Sequence, residues 1–219
     1  MSFDKQKAEA SKKNLKNADL QTVDLQQADL SEGILIEACL ENCNLSEADL
    51  CEADISGANL ENARLHRTVL YRCRGKEINV SNAILTQANL VEANLSGANF
   101  THANLMESNI EGANLINTCF KDANLCEVNL TGIFLVNANL SGADLTNAEC
   151  IAADFTGCDL SEANLSNTYI NHADLSGANL KSALNLTRDQ VETAFINKET
   201  LLPDSIPIIW VSKTEYEFE

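Results

Sequence analysis

Counting in fives from Leu15, the chain places a large apolar residue at almost every fifth position as far as Leu180. Of those 34 positions 25 are Leu, and the others are Ile, Phe or Val except Gly75 and Cys150. Two residues before each, from Lys13 to Ala178, the side chain is mostly small, Ala in 21 of the 34, and between the two lies Asp or Asn in 24. The register never slips. A period of five is neither the 3.6 residues of an α-helix nor the sustained alternation of a long strand. Within each phrase, however, positions alternate small-in, polar-out, large-in, which is a strand fragment of three residues. The two remaining positions are rich in Ser, Thr, Asn, Gly and Glu and suit a turn. A strand fragment and a corner, repeated without a break, wind into a coil with a Leu-packed interior. Coils that hydrogen-bond to their neighbours then form an all-β solenoid.

Four phrases per coil would make a 20-residue turn, stacking Phe100 on Phe120 and aligning Gly57, Gly97, Gly157 and Gly177 at one corner. Runs such as Ala88-Asn89-Leu90, Ala143-Asp144-Leu145 and Ala173-Asp174-Leu175 resemble the pentapeptide repeat proteins, over about three-quarters of the chain. That resemblance implies a right-handed quadrilateral β-helix. Its 34 phrases at four per coil give about 8–9 coils, roughly 40 Å of rod at about 4.8 Å per stacked strand.

A solenoid needs its open edges covered. Residues 1–12 read as a short polar N-terminal helical cap, 13–183 as the pentapeptide-repeat solenoid, and 184–219 as a C-terminal capping helix with an extended tail. Thr187 followed by Gln190 is a capping-box pattern ahead of Val191. The tail also resembles the helix-plus-extended ending common in the family. Its Ile206, Ile208, Ile209 and Trp210 are expected to pack on the last coil. The sharper alternative is a homodimer contact through this tail, as some family members make.

Charge narrows the partners. The chain has 32 acidic and 15 basic residues, a formal net charge of −17, which disfavours phosphate backbones and anionic membranes. We therefore expect neither direct nucleic-acid binding nor membrane association. The N-terminal stretch lacks the apolar core of a signal peptide and no run approaches a membrane span, so a cytoplasmic protein with free thiols is expected. Inward Cys43, Cys73 and Cys158 substitute for Ala or Ser, whereas Cys39, Cys51, Cys119 and Cys126 point outward.

Catalytic groupings are missing. His66, His102 and His172 fall on different corners, and neither a metal-ligand spacing nor a phosphate-cradling glycine loop occurs. No catalytic residue, cofactor or metal is assigned, and the chain is not expected to be an enzyme.

Two departures from the pattern are candidate protein-binding surfaces. The first is a basic belt containing Arg67, Arg72, Arg74, Gly75 and Lys76, where Gly75 removes one Leu-sized side chain. If the coil keeps its course the omission costs on the order of 2–5 kcal/mol unless neighbours move inward; alternatively Arg74–Glu77 bulges out on the permissive glycine. In a 20-residue coil Arg72 lies between Glu52 and Glu92, Arg67 beside Glu47, and Arg74 beside Asp54. The belt is then a charge-pairing rung or a recognition site for an acidic partner or a partner's terminus. The second departure is apolar: Ile116, Phe134 and Val136 fall on adjacent coils, on the face that also carries Ile34 and Ile36. The expected function is a non-catalytic interaction or regulatory scaffold for a protein partner whose identity the sequence leaves open. The alternative, implied by the resemblance, is a DNA mimic that engages a type II topoisomerase such as gyrase.

Overall fold

The computed structural model describes residues 4–212 and 215–219. The first three residues of the expected cap, and residues 213–214 of the tail, lie outside them. From Asp19↔Cys39 to Asn164↔Leu184, parallel bridges join each outward residue to the one 20 positions later. Each coil therefore has four sides, each side a single bridge long. Successive sides are visible in the pairs Asp19↔Cys39, Asp24↔Asn44, Asp29↔Asp49 and Ile34↔Asp54. The chain is a β-solenoid whose sides are too short to form extended strands.

Side-chain alternation sets what fills it. The Leu column and the Ala column both point inward and are buried along the rod, and Phe100 stacks on Phe120 with centroids 4.8 Å apart. Corners follow one design. Ala18 donates its N–H to Leu15 O at 3.0 Å, and Asn17 between them has φ 56°. Positive φ then recurs every fifth residue to Ser182, only at the second central position, which is the type II arrangement. Gly57, Gly97, Gly157 and Gly177 occupy such positions, with φ of +67° to +70°. Most of the others are Asn, Asp or Glu held there by the stacking of the next coil. The turn N–H groups are used too: Asn17 N–H donates to Ile36 O at 2.9 Å and Thr22 N–H to Glu41 O at 3.0 Å.

The outward Asp and Asn do more than face water. Their Oδ1 atoms accept from the N–H two residues on, from Asp19 with Gln21 (3.3 Å) to Asn179 with Lys181 (3.2 Å). This Asx bond fastens the start of each corner, and it explains why Asp and Asn, rather than any polar residue, dominate. Inside, the threonine hydroxyls and the thiols of Cys43 and Cys158 at the small position donate back to the coil before, as Thr68 does to Leu45 O at 2.7 Å and Cys158 to Leu135 O at 2.9 Å.

Both ends are closed. Helix α1 (Lys5–Ala10) is N-capped by Asp4 and buries Ala8 over the first coil. A 3₁₀ turn at Lys12–Asn14 follows, so Lys13 and Asn14, though in phase with the repeat, are exposed and precede the coil. Glu9 accepts from Asp29 N–H at 2.9 Å and Lys5 donates to Gln26 O at 2.8 Å, satisfying backbone groups on the first edge. At the other end α2 (Arg188–Thr193) begins with the Thr187–Gln190 capping box. Gln190 also donates to Leu165 O (3.0 Å), which already accepts from Thr168 N–H, and to Thr168 O (2.8 Å) at the edge of the last coil. Beyond α2, Phe195 and Leu201 continue two sides of the coil against Asp174 and Asn179.

The tail differs from the expected extended ending. It folds into an antiparallel hairpin, β1 (Ile208–Trp210) with β2 (Tyr216–Phe218), held by Ile208↔Phe218 and Trp210↔Tyr216. Ile206 is buried, but Ile208 and Trp210 are only half-buried and Ile209 is exposed. Alternation within a strand cannot bury Ile208, Ile209 and Trp210 on one side. Tyr216 and Phe218 pack against the core instead, and Tyr216 Oη donates to Val191 O at 3.3 Å.

Candidate interaction surfaces

At Gly75 the coil keeps its course. Gly75 N–H donates to Asn94 O at 2.8 Å, Arg74 bridges both Asp54 and Asn94, and Gly75 is not among the positive-φ residues. The bulge does not form. A Cβ at Gly75 would stand 2.9 Å from Leu95 Cδ2 and 3.4 Å from both Ile55 Cγ1 and Ile78 Cδ1. Ile78, which takes the place of an Ala three residues on, supplies the missing volume. One large residue has moved from the large position to the small one.

With the register intact, the belt's charges divide. Arg72 Nε lies 2.6 Å from Glu92 Oε2, Arg74 Nε 3.2 Å from Asp54 Oδ2, and Lys76 Nζ 3.2 Å from Glu77 Oε1. Burial pushes the Asp54 carboxyl up, but the Ser56 hydroxyl and N–H and the Arg74 guanidinium outweigh it and hold the group below the usual range. Arg67 does not pair with Glu47. Its Nε donates to Gln87 Oε1 at 2.7 Å, while Glu47 accepts from Gln27 on its other side at 2.8 Å. Arg64 forms no ion pair among the described residues, a distinction the sequence pattern did not draw because column membership does not say which neighbour a side chain chooses.

The apolar departures do meet. Phe134 bridges Asn114 on one coil and Asp154 on the next, and is 54% exposed. Ile116 lies two residues beyond Asn114 and Val136 two beyond Phe134, with Asn117 N–H on Val136 O at 3.0 Å joining the two coils. Both flanking side chains are half-buried, so Phe134 stands at the centre of a small apolar patch. Ile34 is exposed on the same side, five coils below.

The histidines stay apart. His66 Nδ1 is 2.8 Å from Thr86 Oγ1, His102 Nδ1 3.9 Å from Asp122 Oδ2, and His172 faces Phe195 with ring centroids 6.4 Å apart. Among the described residues no group of His, Cys, Asp and Glu could hold a metal ion, and no helix is long and apolar enough to cross a membrane. Cys43, Cys73, Cys150 and Cys158 are buried; burial pushes the Cys43 thiol up to about 11 and those of Cys73 and Cys158 up to about 12. Buried thiols of this kind are packing residues.

The family model for pentapeptide repeats matches in eight copies, within ranges running from residue 14 to residue 184. Among solved structures, QnrB1, a plasmid-mediated fluoroquinolone resistance protein in a trypsin-treated variant, is 18% identical with a TM-score of 0.69, over 76% of this chain and 84% of that one. HetL, involved in heterocyst differentiation regulation in the cyanobacterium Nostoc sp. strain PCC 7120, is 32% identical over 89% of this chain and 93% of that one, with a TM-score of 0.35. Rfr23 from the cyanobacterium Cyanothece 51142 is 30% identical over 48% of this chain and 63% of that one, with a TM-score of 0.34. A search of the curated proteins returned no match. The likeness to QnrB1 bears on fold alone.

Proposed function

The chain belongs to the pentapeptide repeat family, and we propose that it works as a non-catalytic interaction scaffold, a right-handed rod that presents surface columns to a protein partner. One observation carries the reading: Phe134, 54% exposed where the repeat calls for Asp or Asn, with Ile116 and Val136 beside it. An aromatic residue with aliphatic flanks, on a column that within the repeat is polar elsewhere except at Ile34, is the composition of an interface centre. It also costs the rod an Asx bond at that corner, since Phe offers no acceptor.

The test is capture from native lysate by tagged protein, beside Phe134→Ser and an Arg72→Glu/Arg74→Glu/Lys76→Glu variant, each first shown to fold by circular dichroism. A partner lost with Phe134→Ser and kept by the charge variant supports the patch. Equal retention by all three proteins overturns it. The exposed Ile209 and Val211 at the hairpin keep self-association through the tail as part of this reading, and sedimentation velocity would register it as a dimer.

A second reading rests on the net charge of −17 carried on a rod: mimicry of DNA in the basic groove of a type II topoisomerase. Inhibition of gyrase supercoiling by the purified protein would support it, and no effect at excess protein would remove it.

A further inference from the structure

The belt's pairing pattern leaves one corner unneutralised. Arg72, Arg74 and Lys76 each have a carboxylate. Arg64 has none, and Arg67 bonds only the neutral amide of Gln87 through Nε, so its terminal N–H groups remain without an acceptor among the described residues. Arg64 precedes the turn closed by Thr68 N–H on Leu65 O at 3.1 Å, Arg67 occupies its second central position, and both are exposed. Directly above Arg64, and bridged to it, is Ile84, 44% exposed on a side whose positions from Asp24 to Asn164 are, apart from these two, Asp or Asn.

We infer that Arg64, Arg67 and Ile84 form a docking site for an acidic segment of a partner protein, one carrying carboxylates beside an aliphatic side chain. The inference rests on the reading of the rod as an interaction scaffold and names a second surface on it. Charge complementarity decides the occupant. Two guanidinium groups offer paired N–H donors that match carboxylates in a planar, two-bond fashion. Ile84 gives the segment an apolar contact one coil away. Duplex nucleic acid fits badly, because its phosphates run on past two arginines onto a chain of net charge −17, whereas a short acidic segment can end at the pair.

The site is separate from the Phe134 patch. Arg64 belongs to the column of Asn44 and Ile84, Phe134 to that of Asn114 and Asp154, two sides away around a four-sided coil. They therefore face opposite ways. A rod with partner surfaces on opposite sides can hold two proteins at once, one by an acidic segment and one by an apolar contact.

The experiment uses purified full-length protein and a fluorescent peptide, Glu-Leu-Glu-Glu-Leu-Glu, followed by anisotropy at low ionic strength. The same peptide with Gln for Glu, and a labelled DNA duplex, are the comparisons. Expected is binding of the acidic peptide, at least about tenfold weaker in Arg64→Glu/Arg67→Glu and changed less than about twofold in Arg72→Glu. Arg64→Gln/Arg67→Gln, which removes charge with little change of size, should fall between. No binding to the native protein, undiminished binding to a folded charge-reversal variant, or preference for the duplex would each overturn the inference. Lysate capture through Phe134 is read separately, so failure there leaves this result standing, and the reverse also holds.

Discussion

Arg72 reaches across one coil to Glu92, Nε to Oε2 at 2.6 Å. The contact exists only because Gly75, between them in sequence, stays in the coil. Had five residues looped out there, every downstream column would have turned by one side. The pair thus marks the continuity of the rod through its one vacant large position, and the cations at 72, 74 and 76 each stand within 3.2 Å of a carboxylate.

Both partners are about half exposed, 51% and 48%, so solvent and salt screen the attraction. Arg72→Ala and Glu92→Ala should each destabilise only slightly. Their coupling in a double-mutant cycle by urea denaturation should fade as sodium chloride is raised. A coupling that ignores salt would contradict this account.

Gly75 and Ile78 should trade volume. Gly75→Leu alone overfills the interior, since its Cβ would already sit 2.9 Å from Leu95 Cδ2, and should destabilise by about 1–3 kcal/mol. Adding Ile78→Ala restores the common phrase and should recover most of that loss. Urea midpoints of the single and double variants decide; a double variant no better than the single would show that Ile78 is not the compensating residue.

Ala152 occupies a left-handed corner with φ 54° and has no polar side chain to offset it. That conformation costs an L-residue roughly 1–2 kcal/mol, and a glycine's greater freedom when unfolded takes back about 0.4–1 kcal/mol. Ala152→Gly should therefore stabilise by about 0.5–1 kcal/mol. Ala153→Gly, at a buried position of ordinary φ, should destabilise. Thermal melts of the two variants should move in opposite directions.

Asp29 ties the N-terminal cap to the first coils. Lys12 Nζ lies 2.7 Å from its Oδ1, and with the Ser31 hydroxyl and N–H holds the carboxyl at about 2, below its ordinary 3.8. A carboxyl depressed in the folded state contributes stability that is full above the unfolded value and is lost as pH falls through the folded one. The contribution should be complete above pH 4 and disappear toward pH 2. In Lys12→Met the Asp29 carboxyl should titrate at higher pH by carbon-13 NMR; an unchanged midpoint would show that Ser31 alone holds it.

Much of this was legible along the chain. Inside and outside, the 20-residue coil and the Phe100–Phe120 stack follow from a pattern repeated without a slip. So does the capping box at Thr187 and Gln190, because each is a matter of spacing between residues near in sequence. The apolar patch of Ile116, Phe134 and Val136 was legible too, since a strict register converts sequence distance into position on a side.

Other features needed the folded chain. Nothing in the pattern told that the second corner residue would be left-handed, or that each outward Asp or Asn would fasten its corner by accepting the N–H two residues on. Those follow from closing a turn every five residues while every backbone group finds a partner in the next coil. Arg67 choosing Gln87 over Glu47 is of the same kind: a long side chain between two possible partners goes where rotamer and competing bonds allow. The tail hairpin, with Trp210 against Tyr216, lies outside the repeat, so no periodicity announced it. The sequence by itself determined where each residue of the rod stands, because burying Leu at a constant period leaves one register. Tertiary structure alone decided which neighbours those residues bond, because that depends on distances across coils that a linear pattern does not contain.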